Sequence, residues 1–310
     1  MEILILGITG AIGSTLAPRL LQEGHTVRGL SRRSPDLAAH PELQGVEFFT
    51  GDAVNGTGLD RALDGVEVAY YLIHSMESGA GGNFPEQERR AAEHYATAAG
   101  LAGVQRTLYL GGPVPPTPVP SAHLGSRLAV ERLLLEATPE ALAFRASIVI
   151  GAQSRSFRFL VRLIERMPFL PLPAWRDNRT APIDERDVND FLLRGATAEG
   201  IGRQALDVAG PDTLSYGELM VRIRDLMMVS RGVLRLPPQL TLTPIAARIS
   251  ALVAGEDPGF IEPLMESLDS DLLQDGDAAA RLLGVRRHSL DAAIEKALRD
   301  WERTENLAAR

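Results

Sequence analysis

The first two-thirds of the chain alternates short apolar runs with longer amphipathic segments. Runs at 2–7, 25–30, 46–50, 67–73, 106–111 and 144–150 are rich in Val, Ile, Leu or Tyr and lack strict polar alternation. That pattern predicts strands covered on both faces. Between them, segments 12–23, 57–64, 86–102 and 123–137 read as helices. Strand and helix in repeated succession imply βαβ units around a parallel sheet. The expected class is α/β, a Rossmann-type doubly wound parallel sheet.

From about 152 the rhythm changes. Segment 154–167 reads as an amphipathic helix, and Pro168, Pro171 and Pro173 then impose an irregular stretch. Segments 215–230, 243–254, 259–274 and 289–303 read as further helices, with Ser215 and Glu218 spaced as a capping pair. One more apolar run, 205–209, reads as a strand that completes the sheet. The expected organisation is a Rossmann domain over 1–152, completed near 205–209. A smaller, mainly helical region over 153–310 would form a substrate lid that does not fold alone.

Gly7-Ile8-Thr9-Gly10-Ala11-Ile12-Gly13 follows the first strand and opens the first helix, the context a phosphate-binding glycine turn requires. Gly7 permits the tight turn, Gly10 lets backbone approach a pyrophosphate, and Gly13 lets the helix pack closely. The helix start offers free N–H groups and a positive dipole end to phosphate.

This spacing resembles the extended and atypical branches of the short-chain dehydrogenase/reductase superfamily. Gly51-Asp52 resembles that superfamily's acidic contact to adenine. The run Val68 to Met76 resembles the fourth strand and its exit, and Phe144 to Gly151 the strand that passes the nicotinamide. Arg186-Asp187-Val188 and Gly210-Pro211-Asp212 resemble later landmarks of the group. The likeness is nearest to the NmrA-like NAD(P)-binding proteins. It implies cofactor contacts at Gly7, Thr9, Gly10, Ala11, Ile12, Gly13, Ser31, Arg32, Arg33, Asp52, Ala53, Leu72, Ile73, His74, Ser75, Arg127 and Ala146.

NAD-selective sites place a carboxylate after the second strand to hold the ribose 2′-hydroxyl. Here Ser31-Arg32-Arg33 stands at that point, and guanidinium groups suit a 2′-phosphate. NADP(H) is therefore expected before NAD(H); otherwise the two arginines merely begin a solvated loop.

Superfamily reductases commonly use a Tyr proton donor with a Lys four residues later. In this chain the matching helix carries His123 and Arg127, and Gly111-Gly112 replaces the usual Ser. His123 can act as a general acid near neutral pH, since a free imidazole titrates at about 6.5. The reading is an NADP(H)-dependent oxidoreductase with catalytic His123 and Arg127 and a small apolar substrate. Hydride transfer to an activated C=C or a quinone needs no strong acid from the protein. The rival is a dinucleotide-binding sensor that engages a protein partner without turnover. Residues 79–83 read as a loop over the site, and Asp187 as a structural partner.

Composition narrows the classes. With 32 basic and 40 acidic residues the net charge is −8, without the basic stripe that nucleic-acid binding needs. The chain has no Cys and six scattered His, so no metal site is expected. Its longest uncharged run, 107–126, contains five prolines and is not expected to span a membrane. No signal segment precedes the first strand, and a cytoplasmic location is the expectation.

Overall fold

The computed structural model describes residues 1–74, 84–114, 121–167, 169–172, 174–230, 232–235, 244–305 and 307. Ser75, the 79–83 loop and part of the 113–120 loop lie outside them. The chain starts with β1 (Glu2–Leu6), α1 (Ala11–Gln22), β2 (Thr26–Ser31) and β3 (Glu47–Thr50). It continues through α2 (Leu59–Leu63), β4 (Val68–Tyr71), α3 (Phe84–Ala102), β5 (Arg106–Gly111), α4 (Ala122–Ala137) and β6 (Leu142–Ala146). The 144–150 run does not form one strand. It breaks at Ser147-Ile148, where the Ser147 hydroxyl donates to the Ala181 carbonyl at 2.7 Å. Its far end becomes β7 (Val149–Ile150), which leaves the main sheet to pair with β10 (Ile183–Asp184).

Further along lie α5 (Arg155–Arg166), β8 (Leu170–Leu172), β9 (Arg179–Thr180), α6 (Glu185–Thr197) and β11 (Gln204–Val208). The last part comprises β12 (Leu214–Ser215), α7 (Tyr216–Leu226), β13 (Val233–Arg235), α8 (Pro244–Ala254), α9 (Pro258–Ser267), α10 (Gly276–Leu283) and α11 (Leu290–Glu302). Neither α6 nor α10 was expected. The 259–274 segment is helical only to Ser267, after which Leu272 bridges to Thr180 in an extended stretch. Helix α7 stops at Leu226, and Met228 takes a left-handed φ of 56°. At its other end Ser215 and Glu218 form the capping box.

Seven strands make one parallel sheet in the order β11-β6-β5-β4-β1-β2-β3. Consecutive residues of β1 serve opposite layers. Ile3 and Ile5 pack with α1, α6 and α10, whereas Leu4 and Leu6 pack with α2, α3 and α4. This is the two-residue period of a strand buried on both sides, and the doubly wound expectation is met. A third core, built by α5, α7, α8, α9 and α11, gathers around Trp175 and Trp301. Arg158 and Arg162 lie over the Trp301 ring at 4.2 and 4.8 Å, so the largest core side chain is also held by charge.

Candidate functional site

Glycine shapes the end of β1. Gly7 takes φ 86°, and a Cβ there would lie 2.8 Å from the Leu72 carbonyl on the adjacent strand. A Cβ at Gly13 would lie 2.4 Å from the Gly7 carbonyl oxygen, so only glycine lets α1 start against the turn. Gly10 is the N-cap, with no side-chain cap and no acid in the first turn. The opening N–H groups of α1 are left for an outside acceptor. This cradle fits a pyrophosphate.

A cleft of about 250 Å³ begins at this turn. It gathers Gly7, Gly10, Ala11, Ile12, Gly13, Leu72, His74, His123, Arg127 and Ala146. Sequence positions as distant as 7 and 146 thus share one surface. The other expected contacts among the described residues are placed elsewhere. Thr9 is exposed at the crest of the turn. Ile73 packs into the core behind the cleft, and Ala53 is buried. Arg32 and Arg33 are exposed beyond β2, with no acidic partner among the described residues. Ser31 hydrogen-bonds the Arg33 carbonyl at 2.7 Å, and Gly51 N–H donates to the Ser31 carbonyl at 3.0 Å. The backbone that leads into the two arginines therefore lies beside Gly51. Asp52 itself accepts from Val54 N–H at 2.9 Å and the Asn55 side chain at 3.1 Å, so its carboxylate serves its own turn.

Beneath the middle of the cleft lies a charged cluster that the sequence did not reveal. Glu88 of α3 is buried, yet it stands 3.1 Å from His74 Nδ1 and 3.8 Å from Arg127 and accepts the Ser126 hydroxyl. Burial alone would raise its carboxyl; His74, Arg127 and Ser126 together outweigh that and hold it at about 2. Glu88 is thus an ionised group whose field fixes its neighbours. Arg127 reaches the Ile73 carbonyl at 3.4 Å, bonds the Leu110 carbonyl, and lies 4.8 Å over the Tyr109 ring. Its guanidinium ties the exits of β4 and β5 together. That is a positioning arrangement, unlike the mobile ammonium of the Lys it replaces.

His123 stacks on His74 with ring centroids 5.2 Å apart and planes 3° from parallel. Burial, reinforced by the charges of His74 and Arg127, pushes His123 down to about 3. Its ring is neutral at ordinary pH, and the expected imidazolium donor is not what this environment favours. The nearby carboxyl of Glu185 is pushed the other way, by burial, to about 7. Glu185 lines the cleft from the first turn of α6.

The far wall comes from the C-terminal region: Tyr216, Leu264, Ser267, Leu268 and Leu272, with Ser154 to Ser156 beside them. Tyr216 is buried against Trp175 with ring centroids 5.7 Å apart. Its hydroxyl lies beside the Thr180 side chain, and the indole N–H of Trp175 has no hydrogen-bond partner among the described residues. Burial raises the phenol to about 12, so it stays a donor. Expected Asp187 lies away from this surface, where it holds the His288 backbone and ring. Tertiary packing alone brings Glu88, Glu185 and Tyr216 here, and no local spacing could have marked them.

A parallel doubly wound sheet with a glycine cradle at the first crossover defines a dinucleotide-binding protein of the NAD(P)-dependent, reductase-type short-chain superfamily. Residues 1–149, just under half of the chain, match the NmrA-like family. The chain is 28% identical over 239 residues to a ceramide reductase of Caulobacter vibrioides, covering 77% of this chain and 74% of that protein. It is 30% identical over 116 residues to a 3-beta-hydroxysteroid dehydrogenase of Mycolicibacterium neoaurum, covering 35% of this chain and 31% of that protein. Among solved structures, an NAD-dependent NDP-hexosamine 5,6-dehydratase aligns over all of both chains with TM-score 0.72 at 18% identity. A UDP-glucuronic acid 4-epimerase of Bacillus cereus, solved with UDP-glucuronic acid and NAD, aligns with TM-score 0.73 at 18% identity. That alignment covers 98% of this chain and 99% of the other. At such identity these two establish the fold. Among the described residues no helix is long and apolar enough to cross a membrane.

Proposed function

We propose that the protein is an NADP(H)-dependent oxidoreductase acting on a largely apolar substrate that carries one reducible polar group. The carrying observation is the single cleft that runs from the glycine cradle, past His74, His123 and Ala146, to a leucine-lined wall built by α9 and the stretch after it. A nicotinamide cofactor supplies hydride chemistry when bound. Gly7 to Gly13 would hold its pyrophosphate, and Arg32 and Arg33 the 2′-phosphate. Leucine, isoleucine and valine side chains exclude water from the far half. Relatives named for ceramide and steroid chemistry support the same class of substrate. An open cleft also favours turnover over the rival sensor, which needs no such space.

Thermal shifts test the cofactor. NADPH at equal concentration should raise Tm more than NADH does, since ligand binding to the folded state stabilises it. One charge-assisted bond to the 2′-phosphate contributes roughly 1.5–3 kcal/mol. The double change Arg32→Ala and Arg33→Ala should erase the difference. Equal shifts with the unaltered protein would remove the NADP preference. Substrate-dependent NADPH oxidation, run over long-chain ketones, enones, quinones and sterols, then tests the reaction itself.

A further inference from the structure

Two cavities meet at one carboxyl. Glu185 lines the main cleft, and it also lines a second space of about 10 Å³ bounded by Ile150, Gly151, Ala152, Asp184, Ala293, Lys296, Ala297 and Asp300. That volume is room for about one water. On its far side Lys296 pairs with Asp300 on α11, both partly exposed to solvent. A Cβ placed on Gly151 would lie 2.1 Å from Glu185 Oε2, so the absence of a side chain there makes room for the carboxyl. Other acids nearby are committed: Asp184 caps α6 and grips Arg186 through both oxygens. Among the described residues Glu185 forms no ion pair within 4 Å, and its nearest opposing charge, Lys296, is paired with Asp300.

Resting on the reductase reading above, we propose that Glu185 is the proton-donating acid of the cleft, recharged from solvent through the second cavity and the Lys296–Asp300 pair. Reduction of a polarised C=O or conjugated C=C adds a hydride with its two electrons to one carbon, from a reduced nicotinamide. The Glu185 O–H bond breaks as an O–H or C–H bond forms at the other end of the reduced group. The carboxylate left behind takes its proton back along the second cavity. His123, neutral and fully sheltered at Nδ1, is thereby relieved of the donor role.

Charged groups around Glu185 are Asp184 beside it, Lys296 and Asp300 on α11, and Arg155 of α5, which shares the main cleft and pairs with Glu256; Ile150, Gly151 and Ala152 add none. Burial raises Glu185 most, Lys296 opposes this, and Asp184 and Asp300 add to it. The directions of two variants follow. Lys296→Met should move Glu185 titration to higher pH, and Asp300→Asn to lower pH.

The test has two arms on the full chain with NADPH bound. In the first, carboxyl-13C-glutamate NMR follows Glu185, its signal assigned by loss in Glu185→Gln. The expected result is a group still protonated at pH 6, ionising near 7 and displaced as stated by the α11 variants. A signal already ionised at pH 5 overturns the proposal. The second arm measures NADPH oxidation with the best acceptor from the panel. Glu185→Gln should lower kcat by about 100-fold or more, the scale of general acid catalysis, with the NADPH thermal shift retained. Glu185→Asp should recover part of the loss. Full kcat in Glu185→Gln sinks the proposal and leaves the reductase standing. If no acceptor is reduced by the unaltered protein, the reductase reading falls, and the proton-donor proposal falls with it.

Discussion

A hydrogen at one α-carbon decides whether the cradle can work. At Gly10 a side chain would meet only the Gly7 carbonyl, 3.1 Å from its Cβ, before entering the space we propose for phosphate. Gly10→Val should therefore abolish dinucleotide binding by calorimetry and change the ligand-free Tm little. Retained binding would show that phosphate lies elsewhere. His123 makes a second prediction, about pH. Its folded pKa is lowered towards 3, whereas an unfolded histidine titrates near 6.5. Below 6.5 the unfolded state therefore binds the extra proton, and stability is lost as pH falls from 6.5 towards 3. At pH 5 that loss amounts to up to about 2 kcal/mol. His123→Asn should lose less Tm between pH 7 and 5 than the unaltered protein, and parallel curves would refute the assignment. The glycines were readable because their work is local. Glu88 was not: it lies 38 positions from Ser126, and only the packing of α3 on α4 makes it a buried anchor.

Among the elements, the least expected matter most to the sheet. Helices α6 and α10 cover one face of it, and β11 pairs along the whole of β6. Phe191 and Leu192 of α6 are fully buried, and each such side chain stabilises the fold by roughly 1.5–3 kcal/mol. We propose on this basis that 1–152 is not a self-sufficient domain. A fragment ending at 152 leaves the β6 edge and the Phe144 face bare, and should aggregate or give a collapsed spectrum. Sharp, dispersed amide signals from that fragment would contradict this. The apolar run at 205–209 announced β11 because strands of a buried sheet read as continuous apolar runs. By contrast, α6 mixes Arg186, Asp187, Asn189 and Asp190 into its turns. Their partners, among them His288, Thr15 and Arg19, lie up to 174 positions away. Polar groups satisfied at such range hide a helix from any periodicity.

Across the whole molecule, the layer class and the family were legible, because a doubly wound sheet repeats one local pattern and the glycine turn stands inside it. The cleft was legible only on its dinucleotide side. Its far wall is assembled from Tyr216 and the 264–272 stretch, whose apolar residues look like any helix face until α9 is seen against α4. The strand order has one more consequence. Counting outward from β1, the chain lays β2 and β3 to one side and β4, β5, β6 and β11 to the other, always in the order in which they are made. No later strand must force itself between two earlier ones. During synthesis the sheet can grow at its two margins as the ribosome releases it, each new strand docking on a finished neighbour. The opposing wall of the cleft is made after the sheet, so the glycine turn and the strands beside it can stand in place before the cleft is closed on its far side.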